Sequence, residues 1–175
     1  ERQLAEAKAE KEAEEKIASY KNEIENIKSE YEITTSLEIC PYSDDDIIQN
    51  ECFGKIVYEH GEIYYGEIIN NSREGAGVYI YGPDGQCLSD PNKNCPDNIY
   101  VGMFQNNKFN GQGKLSFKSG RLYEGNFKNS RANGEGKYTY ENGDLYIGSL
   151  VENMFSGQGE YKFSDGRKYI GEWKN

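Results

Sequence analysis

A fixed period of 23 residues is the feature of this chain that most constrains its fold. Tyr100, Tyr123, Tyr146 and Tyr169 lie 23 residues apart, and each begins the same pattern of tyrosine, glycine and aromatic positions. A short, constant period is the signature of a repeat protein, in which each unit contacts only its neighbours. Because repeat arrays mostly present extended surfaces, the period favours a binding or scaffold function.

Each copy is predicted to form two short antiparallel strands. Tyr100, Gly102 and Phe104 alternate along the chain and therefore share one face of a strand, and residues 111–117 alternate in the same way. We expect a loop of about six residues between the two strands. Serine-glycine, asparagine-glycine and aspartate-glycine dipeptides then end the copies, and such pairs are strong signals for a tight turn.

The glycines inside the predicted strands call for a packing explanation. Glycine weakens a strand, and where it occurs it often marks the close approach of another group. Gly113, Gly136 and Gly159 lie in the middle of a predicted strand and on the face that carries the large aromatic side chains. We therefore predict that each aromatic ring lies over bare glycine backbone.

These residues resemble the MORN repeat, whose pattern is Tyr-x-Gly-x-Trp with a Gly-x-Gly and a closing tyrosine and glycine. The resemblance extends over residues 54–175, in about 4.5 copies with an insertion at residues 86–99. Trp173 keeps the tryptophan, which the other copies replace by Ile68, Phe104, Phe127 and Leu150. The resemblance implies a single-layer run of antiparallel hairpins with a grooved face. MORN arrays occur in cytoskeletal and ciliary scaffolds, in proteins that join membranes, and beside kinase or methyltransferase domains.

The first third of the chain has a different composition. All twenty glycines lie at or after Gly54, which marks a domain boundary. Residues 1–32 are rich in good helix formers and are predicted to form an amphipathic helix or a short coiled coil. Residues 33–53 are predicted to form an acidic linker. The apolar seam of the helix has heptad spacing and consists of Ala13, Ile17, Tyr20, Ile24, Ile27 and Tyr31. It is expected to pack on a partner helix or on the sheet, the alternative being a solvated helix.

No metal, cofactor or catalytic site is predicted. The aspartates at 44–46 lack the glycine and glutamate of a calcium loop, and the cysteines lack zinc-finger spacing. Cys87 and Cys95 would pair in an oxidising compartment, but reduced thiols in the cytosol are favoured because no signal peptide is visible. The single histidine, His60, is expected in a turn, and no acid, base and nucleophile can be assembled around it.

The charge distribution narrows the class of partner. Residues 1–52 carry six basic and fifteen acidic side chains, whereas residues 53–175 carry fourteen and fifteen. Nucleic acid requires a basic stripe, which is missing, so no nucleic-acid partner is expected. Lys55, Lys114 and Lys137 recur at one repeat position, but Val78 and Glu160 interrupt that row. Membrane lipid is therefore the less favoured partner.

The sequence thus predicts a mostly β fold, namely a single-layer antiparallel array of repeated β-hairpins preceded by a long N-terminal α-helix. The leading hypothesis is a non-catalytic protein-interaction scaffold in a cytoplasmic, cytoskeletal or ciliary (axonemal) assembly. Its aromatic groove would hold a helical segment of another protein or the chain's own helix, and the helix seam would allow self-association. The predicted groove anchors are Tyr64, Tyr100, Phe104, Tyr123, Phe127, Tyr146, Tyr169 and Trp173, supported by Phe117, Tyr140 and Phe163.

Two other hypotheses belong to different classes. The array would be the regulatory segment of an enzyme if a catalytic domain follows Asn175, an expectation raised by copy five, which stops within its unit. It would be a membrane-associated module if its surface binds anionic lipid.

Overall fold

The computed structural model describes residues 2–41, 51–59, 61–81 and 98–174. In this part of the chain one helix, α1 (Arg2–Glu30), precedes ten strands. The strands are β1 (Cys52–Val57), β2 (Ile63–Ile69), β3 (Ser72–Ile80), β4 (Ile99–Gln105), β5 (Lys108–Ser116), β6 (Leu122–Lys128), β7 (Arg131–Thr139), β8 (Leu145–Val151), β9 (Met154–Lys162) and β10 (Lys168–Trp173). The strands begin at Cys52, within the stretch predicted to be a linker. Cys87, Cys95, His60 and the aspartates at 44–46 lie outside the described residues.

The ten strands form one antiparallel sheet in which each strand pairs with its neighbours in sequence. This order confirms the predicted single-layer array of hairpins. The strand order follows the sequence order because strands that are consecutive in the chain usually lie side by side in the sheet. Glycines from neighbouring strands lie directly opposite each other across the sheet, as in the pairs Gly102–Gly113 and Gly113–Gly125.

The turns within the copies are shorter than the sequence suggested. A two-residue turn, Asn106-Asn107, joins β4 to β5, and both residues have positive φ angles of 49° and 64°. Asparagine tolerates this left-handed conformation, which matches the twist of a hairpin. The predicted loop of about six residues is therefore wrong, because most of it continues the two strands. The predicted turns between copies are present, and at one of them the Gly120 amide donates to the Phe117 carbonyl at 2.9 Å.

Helix α1 packs on the sheet through its C-terminal half. The face of the sheet that carries Tyr64, Tyr100, Tyr123 and Tyr146 is called here the ring face, and the opposite face the helix face. Ile24 of the helix is fully buried in a cluster with Phe53, Tyr65 and Val78 of the helix face. Partly buried Ile27 and Tyr31 pack on the same cluster. The helix seam therefore packs in cis against β1–β3, one of the two arrangements expected for it.

The cis helix does not occupy the aromatic groove. The groove hypothesis allowed the chain's own helix as its occupant, but α1 lies on the opposite face of the sheet. The physical reason is that β1–β3 carry a cluster of apolar side chains on the helix face, which Ile24 and Ile27 of α1 and the adjoining Tyr31 cover. Ile17, further along the seam, is 38% exposed. The side chains of Ala13 and Tyr20 lie outside those that the structure describes.

The stretch after the helix closes the first edge of the sheet. Ile39 forms a parallel bridge with Phe53, in which the Cys40 amide donates to the Phe53 carbonyl at 2.9 Å and the Phe53 amide donates to the Glu38 carbonyl at 2.8 Å. A disulfide joins Cys40 to Cys52, and both cysteines are buried. Sequence analysis did not consider this pair, and its expectation of reduced thiols concerned Cys87 and Cys95, which lie outside the described residues. The bridge covers the outer edge of β1, which would otherwise be unpaired.

Candidate partner-binding surface

Four repeat tyrosines, Tyr64, Tyr100, Tyr123 and Tyr146, are each seated on two glycines, one in their own strand and one in the next. A Cβ atom added to Gly102 would lie 2.6 Å from the Tyr100 hydroxyl oxygen, and one added to Gly113 would lie 2.5 Å from it. The hydroxyl donates to the Met103 carbonyl at 2.9 Å, so the ring is anchored at both ends. The same arrangement recurs at Tyr64, Tyr123 and Tyr146. The predicted packing of rings over bare glycine backbone is confirmed.

A second residue covers each tyrosine, and sequence analysis missed it. The Phe109 ring stacks on Tyr100 with centroids 3.7 Å apart, and Phe155 stacks on Tyr146 at 3.6 Å. Ala132 holds the same repeat position over Tyr123 and is also buried. These residues lie on the ring face because each is four residues before a seat glycine of its own strand, as Phe109 is before Gly113, and the irregular pairing beside Gly102, Gly125 and Gly148 brings them opposite Phe104, Phe127 and Leu150. The period of 23 residues was the signal that could have identified them.

In the first copy an arginine takes the place of this covering ring. The Arg73 guanidinium carbon lies 4.8 Å from the Tyr79 ring centroid and 5.7 Å from that of Phe104. Its Nη2 atom donates to the Asn107 carbonyl at 2.7 Å. Cation–π attraction and this hydrogen bond compensate for burying part of the charged group.

Six of the eight predicted anchors form the core of the array. Tyr64, Tyr100, Tyr123 and Tyr146 are completely buried, and Phe104 and Phe127 are 3% and 5% exposed. The expectation that these rings stay accessible to a partner is wrong, because the glycine seats and the covering residues enclose them. Tyr169 is 46% exposed and Trp173 is partly buried, so these two anchors keep accessible surface.

A second line of side chains forms the accessible surface of the ring face. It contains the predicted supporting residues Phe117, Tyr140 and Phe163, together with residues that were not predicted. All of its members are partly buried and pack on the buried core or on one another. We call this set the ring row, and it consists of Tyr79, Tyr81, Leu115, Phe117, Tyr138, Tyr140, Tyr161 and Phe163. Neighbouring rings lie close along the row, with centroids 5.9 Å apart for Tyr138–Tyr140 and 4.8 Å for Tyr161–Phe163.

Charged side chains border the ring row at the turns between copies. The Arg121 guanidinium lies 4.1 Å from the Phe117 centroid, and Arg167 lies 4.8 Å from that of Phe163. Asp144 takes the same repeat position between them, and it accepts hydrogen bonds from the Tyr161 hydroxyl at 2.9 Å and the Ser164 amide at 2.8 Å. A depression of about 370 Å³ lies here, lined by Ser119, Arg121, Tyr140, Glu141, Asn142, Asp144 and Tyr161.

The protonation states of this border follow from its contacts. The hydrogen bond from the Ser164 amide lowers the pKa of Asp144, so the carboxylate is ionised at neutral pH. Burial raises the pKa of Tyr161 to about 12, and the hydrogen bond to Asp144 adds to the effect. Burial likewise raises the pKa of Tyr138 and Tyr140. The ring row therefore presents neutral phenols beside fixed charges of both signs.

The recurring lysines lie on the helix face and have acidic neighbours. Lys55 contacts Glu23 of α1 at 2.7 Å, and the Tyr65 hydroxyl donates to the same carboxylate at 2.6 Å. Lys114 and Lys137 flank Glu124 at 3.6 and 3.9 Å. Carboxylates therefore lie beside all three of these lysines. The lysines do not form the basic cluster that anionic lipid favours.

Within the described residues no group of three or more histidine, cysteine, aspartate or glutamate side chains is arranged to hold a metal ion. No helix in that part of the chain combines the length and the hydropathy needed to cross a membrane.

Comparison with known protein families agrees with this geometry. The MORN-repeat family model matches four stretches of the chain, residues 64–86, 100–120, 123–145 and 146–166. These matches cover half of the chain, which therefore belongs to the MORN-repeat family. MORN repeats are in general protein- or membrane-interaction motifs, and the repeat itself is a non-catalytic motif. No curated protein matches the chain.

Proposed function

We propose that this protein is a non-catalytic interaction scaffold whose ring row binds a helical segment of another protein. The observation that carries the proposal is the position of the ring row. It lies on the face opposite α1, and among the buried members of the cluster beneath it Cys40 is the one described residue that lies outside the strands. A large, partly exposed aromatic surface on a protein usually marks an interaction site.

The spacing of the array supports a helical partner. Two strands advance the sheet by about 9.6 Å, because neighbouring strands lie about 4.8 Å apart. Seven residues of an α-helix rise about 10.5 Å. A helix that lies along the array and presents one apolar residue per heptad would therefore meet one copy after another with little drift, as helices do in aromatic or apolar grooves.

The energetics are compatible with useful affinity. Completing the burial of a half-exposed ring contributes about 1 kcal/mol, so contact with most of the ring row offsets a substantial part of the entropy lost on association. Arg121 and Arg167 are both exposed beside the rings. Acidic side chains flanking the apolar seam of the partner would pair with them, which would improve specificity and the rate of association.

A cytoskeletal or ciliary assembly is the setting that we propose. The support is mechanical: continuous backbone pairing across ten strands makes one stiff element about 43 Å long. Such an element fixes the distance between bound partners better than domains joined by flexible linkers.

Site-specific photocrosslinking tests the proposal. A photoreactive phenylalanine analogue is placed on the ring face at Phe117, Tyr140 or Phe163. As matched controls it is placed on the helix face at Met103 and Ile147, which are 43% and 49% exposed. We expect one helical protein to be crosslinked from all three ring-face positions and from neither control.

The captured protein is then identified, and its segment is titrated against the purified chain. Equal crosslinking from both faces, or from the helix face alone, contradicts the proposal. Co-flotation with anionic vesicles that is blocked by changes in the ring row would instead support a membrane-associated module.

A further inference from the structure

Two neighbouring copies carry opposite charges at the same repeat position, on the border of the ring row. Arg121 and Asp144 lie 23 residues apart, and each follows the glycine of a turn between copies. Both side chains line the depression of about 370 Å³ beside Tyr140. The depression therefore presents a cation and an anion that are one repeat apart.

The positive charge of Arg121 has no acidic partner in its own turn. Arg167 holds the same position one turn beyond Asp144, and its Nε atom contacts the Asp165 carboxylate at 2.7 Å. In the turn of Arg121, Ser119 takes the place of that aspartate. None of the ion pairs between described residues includes Arg121, whose exposed guanidinium lies over the Phe117 ring.

The negative charge of Asp144 has neutral neighbours. Its carboxylate accepts hydrogen bonds from the Tyr161 hydroxyl and the Ser164 amide. Glu141 also lines the depression, and neither carboxylate takes part in an ion pair between described residues. The rings of Tyr140 and Tyr161, with centroids 6.0 Å apart, line it as well. Carboxylates beside aromatic rings favour the approach of a basic side chain.

We infer that the helical segment bound by the ring row carries an acidic residue facing Arg121 and a basic residue facing Asp144, about seven positions apart, an inference that rests on the proposed function. One copy advances the sheet by about 9.6 Å, and seven helical residues rise about 10.5 Å. Residues one heptad apart on one side of the partner helix therefore reach the two charges together. Complementary charges favour the right partner, and like charges reject others.

The same pair fixes where the partner lies along the array. The ring row repeats from copy to copy, so apolar contacts alone allow a helix to slip by one repeat. The border position is held in turn by Glu62, Asn98, Arg121, Asp144 and Arg167. Among these, Arg121 and Asp144 are neighbouring copies of opposite charge with neither charge paired by its own turn. Such polar positions set register in helical assemblies.

A titration with designed helical peptides tests the inference on the intact chain. Each peptide is an amphipathic helix of about 21 residues with a leucine seam, which rises about 31 Å and spans about three copies. Two flanking positions one heptad apart carry Glu and Lys in the first peptide, and Glu/Glu, Lys/Lys or Gln/Gln in the others. All other flanking residues are Gln. By fluorescence anisotropy, we expect the Glu/Lys peptide to bind about fivefold tighter than each of the others.

Charge reversal at Arg121 provides a second arm. Glu62 shows that the array accommodates glutamate at this repeat position. In an Arg121→Glu variant both border charges of the pair are negative, so the Lys/Lys peptide should become the tightest binder. The matched control is Arg167→Glu, which should keep the preference for Glu/Lys because the arginine it removes is already paired with Asp165.

Equal affinity of the four peptides for the wild-type chain overturns the inference and leaves helix binding by the ring row intact. A preference for Glu/Lys that Arg121→Glu does not change also overturns it. Failure of every peptide to bind overturns it too, whereas the proposed function is decided by the crosslinking from Phe117, Tyr140 and Phe163.

Discussion

Replacing Gly136 by alanine isolates the contact on which the array depends. A Cβ at this position would lie 2.5 Å from both the Cε2 atom and the hydroxyl oxygen of Tyr123. Favourable contact between such atoms begins at about 3.5 Å, so the methyl group overlaps the ring by about 1 Å. The φ angle of Gly136 is not positive, and alanine therefore adds steric overlap without backbone strain.

The expected destabilisation is about 2–3 kcal/mol. Tyr123 is completely buried, and its hydroxyl donates to the Asn126 carbonyl at 2.9 Å, so the ring cannot swing aside freely. Overpacking of a buried site costs about 1–3 kcal/mol, and loss of the hydrogen bond costs about 1 kcal/mol. Removing a glycine from a strand offsets about 0.5–1 kcal/mol of this.

Urea unfolding followed by circular dichroism measures the effect, and hydrogen exchange shows whether it is centred on β6 and β7. The control is Gly166→Ala, where φ is +91° and no atom lies within 4 Å of the added Cβ. That variant should lose about 1 kcal/mol from backbone strain alone. If Gly136→Ala is no less stable than the control, the glycines are not seats and the packing rule is refuted.

Three further predictions concern other parts of the fold. A hydrogen bond from a backbone amide lowers the pKa of Asp144, so its contribution is present above the unfolded pKa of about 3.9 and is lost as pH falls through the folded value. Asp144→Asn should therefore be less stable than wild type at pH 7 in thermal melts, and a difference that persists undiminished at acid pH would contradict this. Cys52→Ser, or reduction of its disulfide with Cys40, should cost roughly 3 kcal/mol because the bridge closes a loop of about a dozen residues; an unchanged urea midpoint would exclude this. Ile24→Asp should release the helix by about 3 kcal/mol and expose it to limited proteolysis, whereas Ile17→Asp, at an exposed position, should change little; equal cleavage of the two variants would count against the helix docking.

The repeat could be derived from the sequence because its information is local. Tyr100, Gly102 and Gly113 specify a strand, a seat and a neighbouring strand within a single repeat unit, so alternation and period were sufficient. The covering residue Phe109 was not found, because it was assigned to the predicted six-residue loop, whereas the structure places it inside β5. It keeps the alternation of Gly111 and Gly113, but the tight turn at Asn106-Asn107 that extends the strand back to it was not predicted.

The candidate surface was predicted in part. Phe117, Tyr140 and Phe163 were assigned a supporting role and belong to the accessible ring row, whereas anchors such as Tyr100 and Tyr146 form the core. Residue type indicates that a ring will be buried somewhere, but exposure depends on what covers it. That depends on the neighbouring copy, which alternation within one strand does not describe.

The amino-acid sequence alone determined the repeat period, the antiparallel order of the strands and the pairing of each tyrosine with its glycines, because these depend on contacts between residues close along the chain. Tertiary structure decided which rings stay accessible, that α1 packs on the face opposite the ring row, and that Cys40 pairs with Cys52. Those outcomes depend on which surfaces meet after the sheet has formed, and burial is a property of all the surrounding atoms rather than of one stretch of sequence.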